Sequence, residues 1–157
     1  MKLNLSSRND IRPKGYLNID TLPLNLPEDI YRCGPINNLD WLCEGNSVDE
    51  ITAINSLNRI GLCGVSATLK NWHSKLILGG LLSVVVPDAK CVCHQFENDL
   101  DLTKLNAILY GDSYNEFKSL LDLPPLIKML EDARFHVDTV KYNGFLIYVG
   151  AVKLENS

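Results

Sequence analysis

The chain has 157 residues, 46% hydrophobic and 22% charged, with a formal net charge of -4 at pH 7. This length suits a single domain over residues 1–157 that buries its own core, and the composition excludes extended disorder. The acidic balance supplies no phosphate-neutralising surface, and no run approaches the roughly 18 apolar residues of a membrane helix, so neither nucleic acid nor membrane is an expected partner.

Leu3-Asn4-Leu5 and Tyr16-Leu17-Asn18-Ile19-Asp20 alternate large and polar residues and are predicted as short neighbouring strands. Only Ser6 to Gly15 lies between them, and Pro13 and Gly15 leave no room for the usual crossover helix. Pro23 and Pro27 make the next connection extended as well, leading to a weak strand around Ile30 to Cys33. Val48 to Ile54 reads as a fourth strand, entered through the turn-forming Gly45-Asn46-Ser47, with Asn55 and Ser56 at its carboxyl end.

Val65, Leu69, Trp72 and Leu76 fall on one helical face, and Gly79-Gly80 stops that helix. Leu81 to Val86 is a nearly continuous, partly β-branched run, as expected of a parallel strand buried on both faces, and Pro87-Asp88 ends it. Asp101 to Leu109 has helical spacing, and another helix begins near Pro124 with Ile127, Leu130 and Ala133 on one face. Val137 to Tyr142 and Phe145 to Val152 read as strands of a hairpin joined at Asn143-Gly144.

Cys33, Cys43, Cys63, Cys91 and Cys93 are odd in number and irregularly spaced, which argues against a disulfide framework. Met1 to Arg8 has no signal-peptide core, and with the cysteines this gives the expectation of a cytoplasmic protein. Cys91-Val92-Cys93-His94 has no second pair at zinc-finger spacing, so it reads as ordinary thiols and no metal is expected. The sum is an α/β domain: a mostly parallel sheet, reduced helices between the first strands and a C-terminal antiparallel hairpin.

The run from Leu3 to Asp20, with its loop Ser6-Ser7-Arg8-Asn9-Asp10, resembles the first two strands of small class I S-adenosylmethionine-dependent methyltransferases. Asn46 to Ile51 looks like that family's turn into strand four. Leu76 to Asp88, with Gly79-Gly80 and the Val86-Pro87-Asp88 ending, looks like its Gly-Gly turn and strand five. Leu130 to Phe135 is similar to the segment before strand six, where the family usually has Gly in place of Arg134. The resemblance spans roughly Lys2 to Lys153 and implies a Rossmann-like methyltransferase fold with S-adenosylmethionine as cofactor.

In open α/β sheets a ligand sits beyond the carboxyl ends of the strands where strand order reverses, which gathers Ser6, Ser7, Arg8, Asn9, Asp20, Thr21 and Asn55 around one crevice. Asn38, after the third strand, completes the cofactor-binding set that the resemblance implies. It also assigns Asp20 to the ribose hydroxyls, which a carboxylate can accept as charge-assisted hydrogen bonds; the plainer reading is a turn-opening Asp. The family loop carries glycines, whereas Ser6, Ser7 and Arg8 all bear Cβ atoms. Their side chains can hold the cofactor carboxylate or form a solvated turn.

After strand four, comparable family members often carry a His and then a Glu-His pair; here the run is Asn55-Ser56-Leu57-Asn58-Arg59, without a general base. Asp88, His94 and Tyr110 are substitutes only in name: a cap, a scattered histidine and a helix stop, so no catalytic residue is assigned. Lys90 to Tyr114 is the expected source of acceptor specificity. The implied function is methyl transfer to a small-molecule or sugar-derived acceptor, and the altered loop keeps open a non-catalytic binding or interaction module on the same fold. With short connections between the first strands, one sheet face must be covered by Pro87 to Arg134 or by a second copy, giving a homodimer.

Overall fold

The computed structural model describes residues 1–5, 11–12, 15–97, 101–113 and 116–155. The predicted cofactor residues Ser6, Ser7, Arg8 and Asn9 therefore lie outside the described residues, as does Tyr114.

Seven strands form one sheet: β1 (Lys2–Leu5), β2 (Tyr16–Asp20), β3 (Tyr31–Cys33), β4 (Val48–Ile54), β5 (Leu76–Pro87), β6 (Phe135–Asn143) and β7 (Leu146–Lys153). Their order is β3-β2-β1-β4-β5-β7-β6. The first five are parallel, and β7 runs antiparallel to both β5 and β6. The chain moves outward from β1 to β3 and then returns to place β4 on the other side of β1, so the order reverses between β1 and β4. This is the switch point at which a crevice opens beyond the strand ends.

The helices are α1 (Leu62–Lys75), α2 (Ala89–Glu97), α3 (Leu102–Tyr110) and α4 (Leu123–Asp132). Val65, Leu69 and Trp72 of α1 are fully buried, as their spacing requires, in one core with Leu3, Leu5, Ile51 and Ala53 of the sheet and Leu126 and Leu130 of α4. The other face of the first strands bears different side chains. Lys2, Tyr16 and Glu50 share one register row, and Asn4, Asn18 and Thr52 share the next. Several of these residues pair with one another: Lys2 pairs with Glu50 at 2.8 Å, Tyr16 donates to Glu50 at 2.5 Å, and Asn4 donates to Asn18 at 2.9 Å. Arg12 lies over them, its guanidinium 5.1 Å from the Tyr16 ring centroid and its backbone N–H donating to Asn18. Asn4, Asn18 and Thr52 are buried on this face, each within 3% of full burial.

Three local departures from the sequence expectation have physical causes. Helix α2 was not anticipated; the carboxylate of Asp88 starts it by accepting from the Cys91 N–H at 2.8 Å. The hairpin turn is Gly144-Phe145, one residue beyond Asn143-Gly144, because Asn143 already pairs with Leu146 and Gly144 takes the positive φ of 59°. Gly79 and Gly80 do not stop the helix, which ends at Lys75; they lie within β5 and interrupt its pairing with β4 after Val48–Leu76, with Gly79 at φ 77° and an added Cβ at Gly80 only 2.8 Å from the Ile77 carbonyl. Arg134 stands at φ 68°, which accounts for the glycine of the resembling family there.

At the end of the sheet opposite the crevice, Lys153 is 1% exposed and has no acidic partner among the described residues; its ammonium donates to Asn46 Oδ1 at 2.8 Å, the His73 carbonyl at 3.0 Å and the Leu76 carbonyl at 2.9 Å. Burial lowers its pKa. Replacing Lys153 by Met strands two buried carbonyls, and urea unfolding is expected to register a loss of about 2–4 kcal/mol. Arg134→Gly should raise the unfolding midpoint, by about 1 kcal/mol of relieved backbone strain.

Burial, and then the charge of Lys153, hold the His73 imidazole below its ordinary pKa of 6.5. The unfolded chain therefore binds a proton that the fold rejects, so stability is full above pH 6.5 and falls as pH drops below it. Asp40, held down by Lys75 and Asn71, and Asp49, held down by the chain's amino terminus, contribute losses only at lower pH. A pH series of denaturation midpoints should show the phase that begins near pH 6.5, and His73→Gln should remove that phase alone.

Candidate functional site

Asp20 ends β2 with its side chain completely buried. Its Oδ1 accepts from the Thr21 N–H at 2.7 Å and the Leu22 N–H at 3.3 Å, which turns the chain out of the strand. Beyond β4, residues Leu57–Arg59 form one turn of 3-10 helix, and this turn carries Arg59 across the crevice. The guanidinium meets both carboxylate oxygens of Asp20, Nη1 to Oδ2 and Nη2 to Oδ1 at 3.1 Å each, and Nη2 also donates to the Thr21 hydroxyl at 2.8 Å. With Arg59 side-chain exposure at 9%, this is a buried bidentate pair, the geometry in which guanidinium and carboxylate match best.

A pocket of about 490 Å³ opens beside that pair, within the usual size range of small-molecule sites. Leu22, Ile36 and Ile60 give it apolar walls; Thr21, Asn37, Arg59, Ser113, Glu116 and Lys118 give it polar ones. Its outer rim is tied down by backbone, since the Asn58 carbonyl accepts from the N–H groups of Lys118 at 2.6 Å and Ser119 at 3.1 Å. Beneath it, two amides after β4 are unusual. Asn55 sits at φ 51° with its Oδ1 buried and unpartnered, and Asn58 is 1% exposed with neither Oδ1 nor Nδ2 hydrogen-bonded. An amide left this way costs about 1–3 kcal/mol, so neither side chain is there for stability.

Of the predicted set, Asp20, Thr21 and Asn55 all lie at the carboxyl ends of β2 and β4, around the crevice expected for them. Thr21 lines the pocket, while Arg59 stands between Asp20 and the open space. Asn38 is turned away: its Oδ1 accepts from the Asp40 N–H at 2.8 Å and from Asn71 of α1 at 3.3 Å, fastening the loop to the helix, and its neighbour Asn37 faces the pocket instead. Asp88 caps α2, Tyr110 ends α3 at 64% exposure, and neither they nor His94 line the pocket. Ser113, within Lys90 to Tyr114, does line it. Among the described residues no group of three His, Cys, Asp or Glu side chains is placed to hold a metal.

Sequence reasoning passed over Arg59, Glu116 and Lys118. The signal for Arg59 was present: a long cation directly after strand four, where the chain faces a carboxylate at the end of strand two. Removing one member of a buried pair strands the other, so Asp20→Ala and Arg59→Ala should each lose about 3–5 kcal/mol in urea unfolding. The double variant Asp20→Leu with Arg59→Met should recover much of that loss, because no charge stays buried.

No protein-family model matches the sequence, and neither does any curated protein sequence. Solved structures do match in shape. The 1,6-didemethyltoxoflavin-N1-methyltransferase of Burkholderia thailandensis, solved with 1,6-didemethyltoxoflavin and S-adenosylhomocysteine, superposes with a TM-score of 0.67 at 12% identity, over 98% of this chain and 71% of that one. An S-adenosylmethionine-dependent methyltransferase of Methanosarcina mazei gives 0.63 at 18% identity over 98% and 92%. One from Mesorhizobium loti gives 0.64 at 11% identity over 96% and 89%. With the strand order and the reversed β7, these likenesses establish that the chain has the Rossmann-like fold of the class I S-adenosylmethionine-dependent methyltransferases.

Proposed function

We propose that this chain binds S-adenosylmethionine in the crevice beyond β2 and β4 and serves as a methyltransferase for a small-molecule or sugar-derived acceptor. The observation that carries the reading is the position of a buried carboxylate, Asp20, at the end of β2 beside a pocket of about 490 Å³ at the point where strand order reverses.

The residues present fit such a ligand in kind. The unpartnered amides of Asn55 and Asn58 are buried polar groups awaiting a partner, and they lie on the segment after β4 that forms one side of the crevice. Leu22, Ile36 and Ile60 suit the faces of a purine ring, and Asp20 suits a ribose diol once its oxygens are available. When bound, the cofactor supplies an electrophilic methyl group on a sulfonium. The protein's share is alignment of the acceptor with that carbon, which can provide most of the rate without a universal catalytic residue.

Among the described lining residues Glu116 is the one carboxylate, and in this reading it receives the proton an acceptor releases. Lys118 and Ser113 stand on the same wall and orient the acceptor. Calorimetric titration with S-adenosylmethionine and with S-adenosylhomocysteine tests the reading. Saturable heat is expected for both, with at least tenfold weaker binding to Asp20→Ala. Absence of heat at millimolar ligand overturns the cofactor role.

A further inference from the structure

We infer that Arg59 is a built-in competitor for the cofactor: it occupies the two oxygens of Asp20 that a ribose diol would use, and must leave them before the ligand can seat. The inference rests on the cofactor reading above and concerns how that site is controlled.

The argument is one of lone pairs and space. A carboxylate offers about four acceptor positions. On Asp20, Oδ1 already receives the N–H groups of Thr21 and Leu22, the Thr21 hydroxyl at 3.3 Å and one arm of Arg59, and Oδ2 receives the other arm. The guanidinium is planar and bidentate, so it covers the outward edge of the carboxylate along which a pair of vicinal hydroxyls would have to approach. Arg59 lines the pocket and Asp20 does not, which places the arginine between the carboxylate and any occupant. Both groups cannot hold those oxygens at once.

The device is mobile in a limited sense. Arg59 sits on a single 3-10 turn, and its side chain can swing without moving β4, because the turn is held separately. The Ile60 N–H bonds back to the Leu57 carbonyl at 3.1 Å, the Asn58 carbonyl is bonded to Lys118 and Ser119, and the Ser119 hydroxyl donates to the Ile60 carbonyl at 2.8 Å. Backbone placement is thus independent of the ion pair. The closed arrangement takes a share of the intrinsic affinity: apparent binding is weakened by the fraction of molecules in which Asp20 is open. An interaction partner or acceptor that draws the guanidinium away would then tighten cofactor binding, by reciprocity of linked equilibria.

The test separates competition from a structural role, because the two predict opposite changes. Arg59→Met keeps the aliphatic stem and removes the competing charge; Arg59→Lys keeps a charge but cannot grip both oxygens. Titration of S-adenosylhomocysteine into each folded protein, with denaturant midpoints measured alongside, is expected to give at least tenfold tighter binding for Arg59→Met and an intermediate gain for Arg59→Lys, although both are less stable than the parent. Asp20→Asn in the Arg59→Met background should cancel the gain. Equal or weaker binding by both variants overturns the competition while leaving the cofactor reading intact. No heat from the parent, Arg59→Met or Arg59→Lys overturns both.

Discussion

A buried carboxylate must be paired, and at the end of β2 that requirement organises the whole mouth of the sheet. Asp20 is shielded from water by its own turn and by Arg59, so the chain after β4 has to present a cation at that height. The 3-10 turn that does so also presents the Asn58 carbonyl to Lys118 and Ser119, and through them the segment before α4 is strapped across the crevice. One ion pair thereby ties together β2, the post-β4 turn and the wall of the pocket.

The same sheet handles its two faces by different means. Toward α1 and α4 it buries Leu3, Leu5, Ile51, Ala53 and their neighbours in a continuous apolar core. Toward the short connections it carries rows of polar residues, Lys2, Tyr16 and Glu50, then Asn4, Asn18 and Thr52, with Arg12 reaching Tyr16 and Thr52 from above. A fold of this kind usually spends helices on that face. Here Asn4, Asn18 and Thr52 are buried on that face with no helix between β1 and β2 among the described residues.

The placement of Asp20, Thr21 and Asn55 at the strand ends was readable in advance, and the reason is positional. Asp20 and Thr21 follow a strand recognisable from alternation, Asn55 follows another, and parallel sheets put such residues at one edge. The rest depends on which side chains meet across that edge. Asn38 and Asn37 are adjacent in sequence, yet one fastens a loop to α1 and the other faces the pocket. No spacing rule distinguishes them, because the difference is the direction in which a loop without regular period leaves the sheet.

By itself the sequence determined most of the periodic elements, the mostly parallel sheet and the hairpin glycine, Gly144. Those follow from local physics, since alternation, helical spacing and permitted backbone angles each involve residues near one another in the chain. Only the tertiary structure decided that Tyr16 meets Glu50 on the short-connection face, that Asn37 rather than Asn38 faces the pocket, and that Arg59 closes on Asp20 from 39 positions away. Those outcomes depend on burial and on partners supplied by distant segments, which a single chain read in order does not contain.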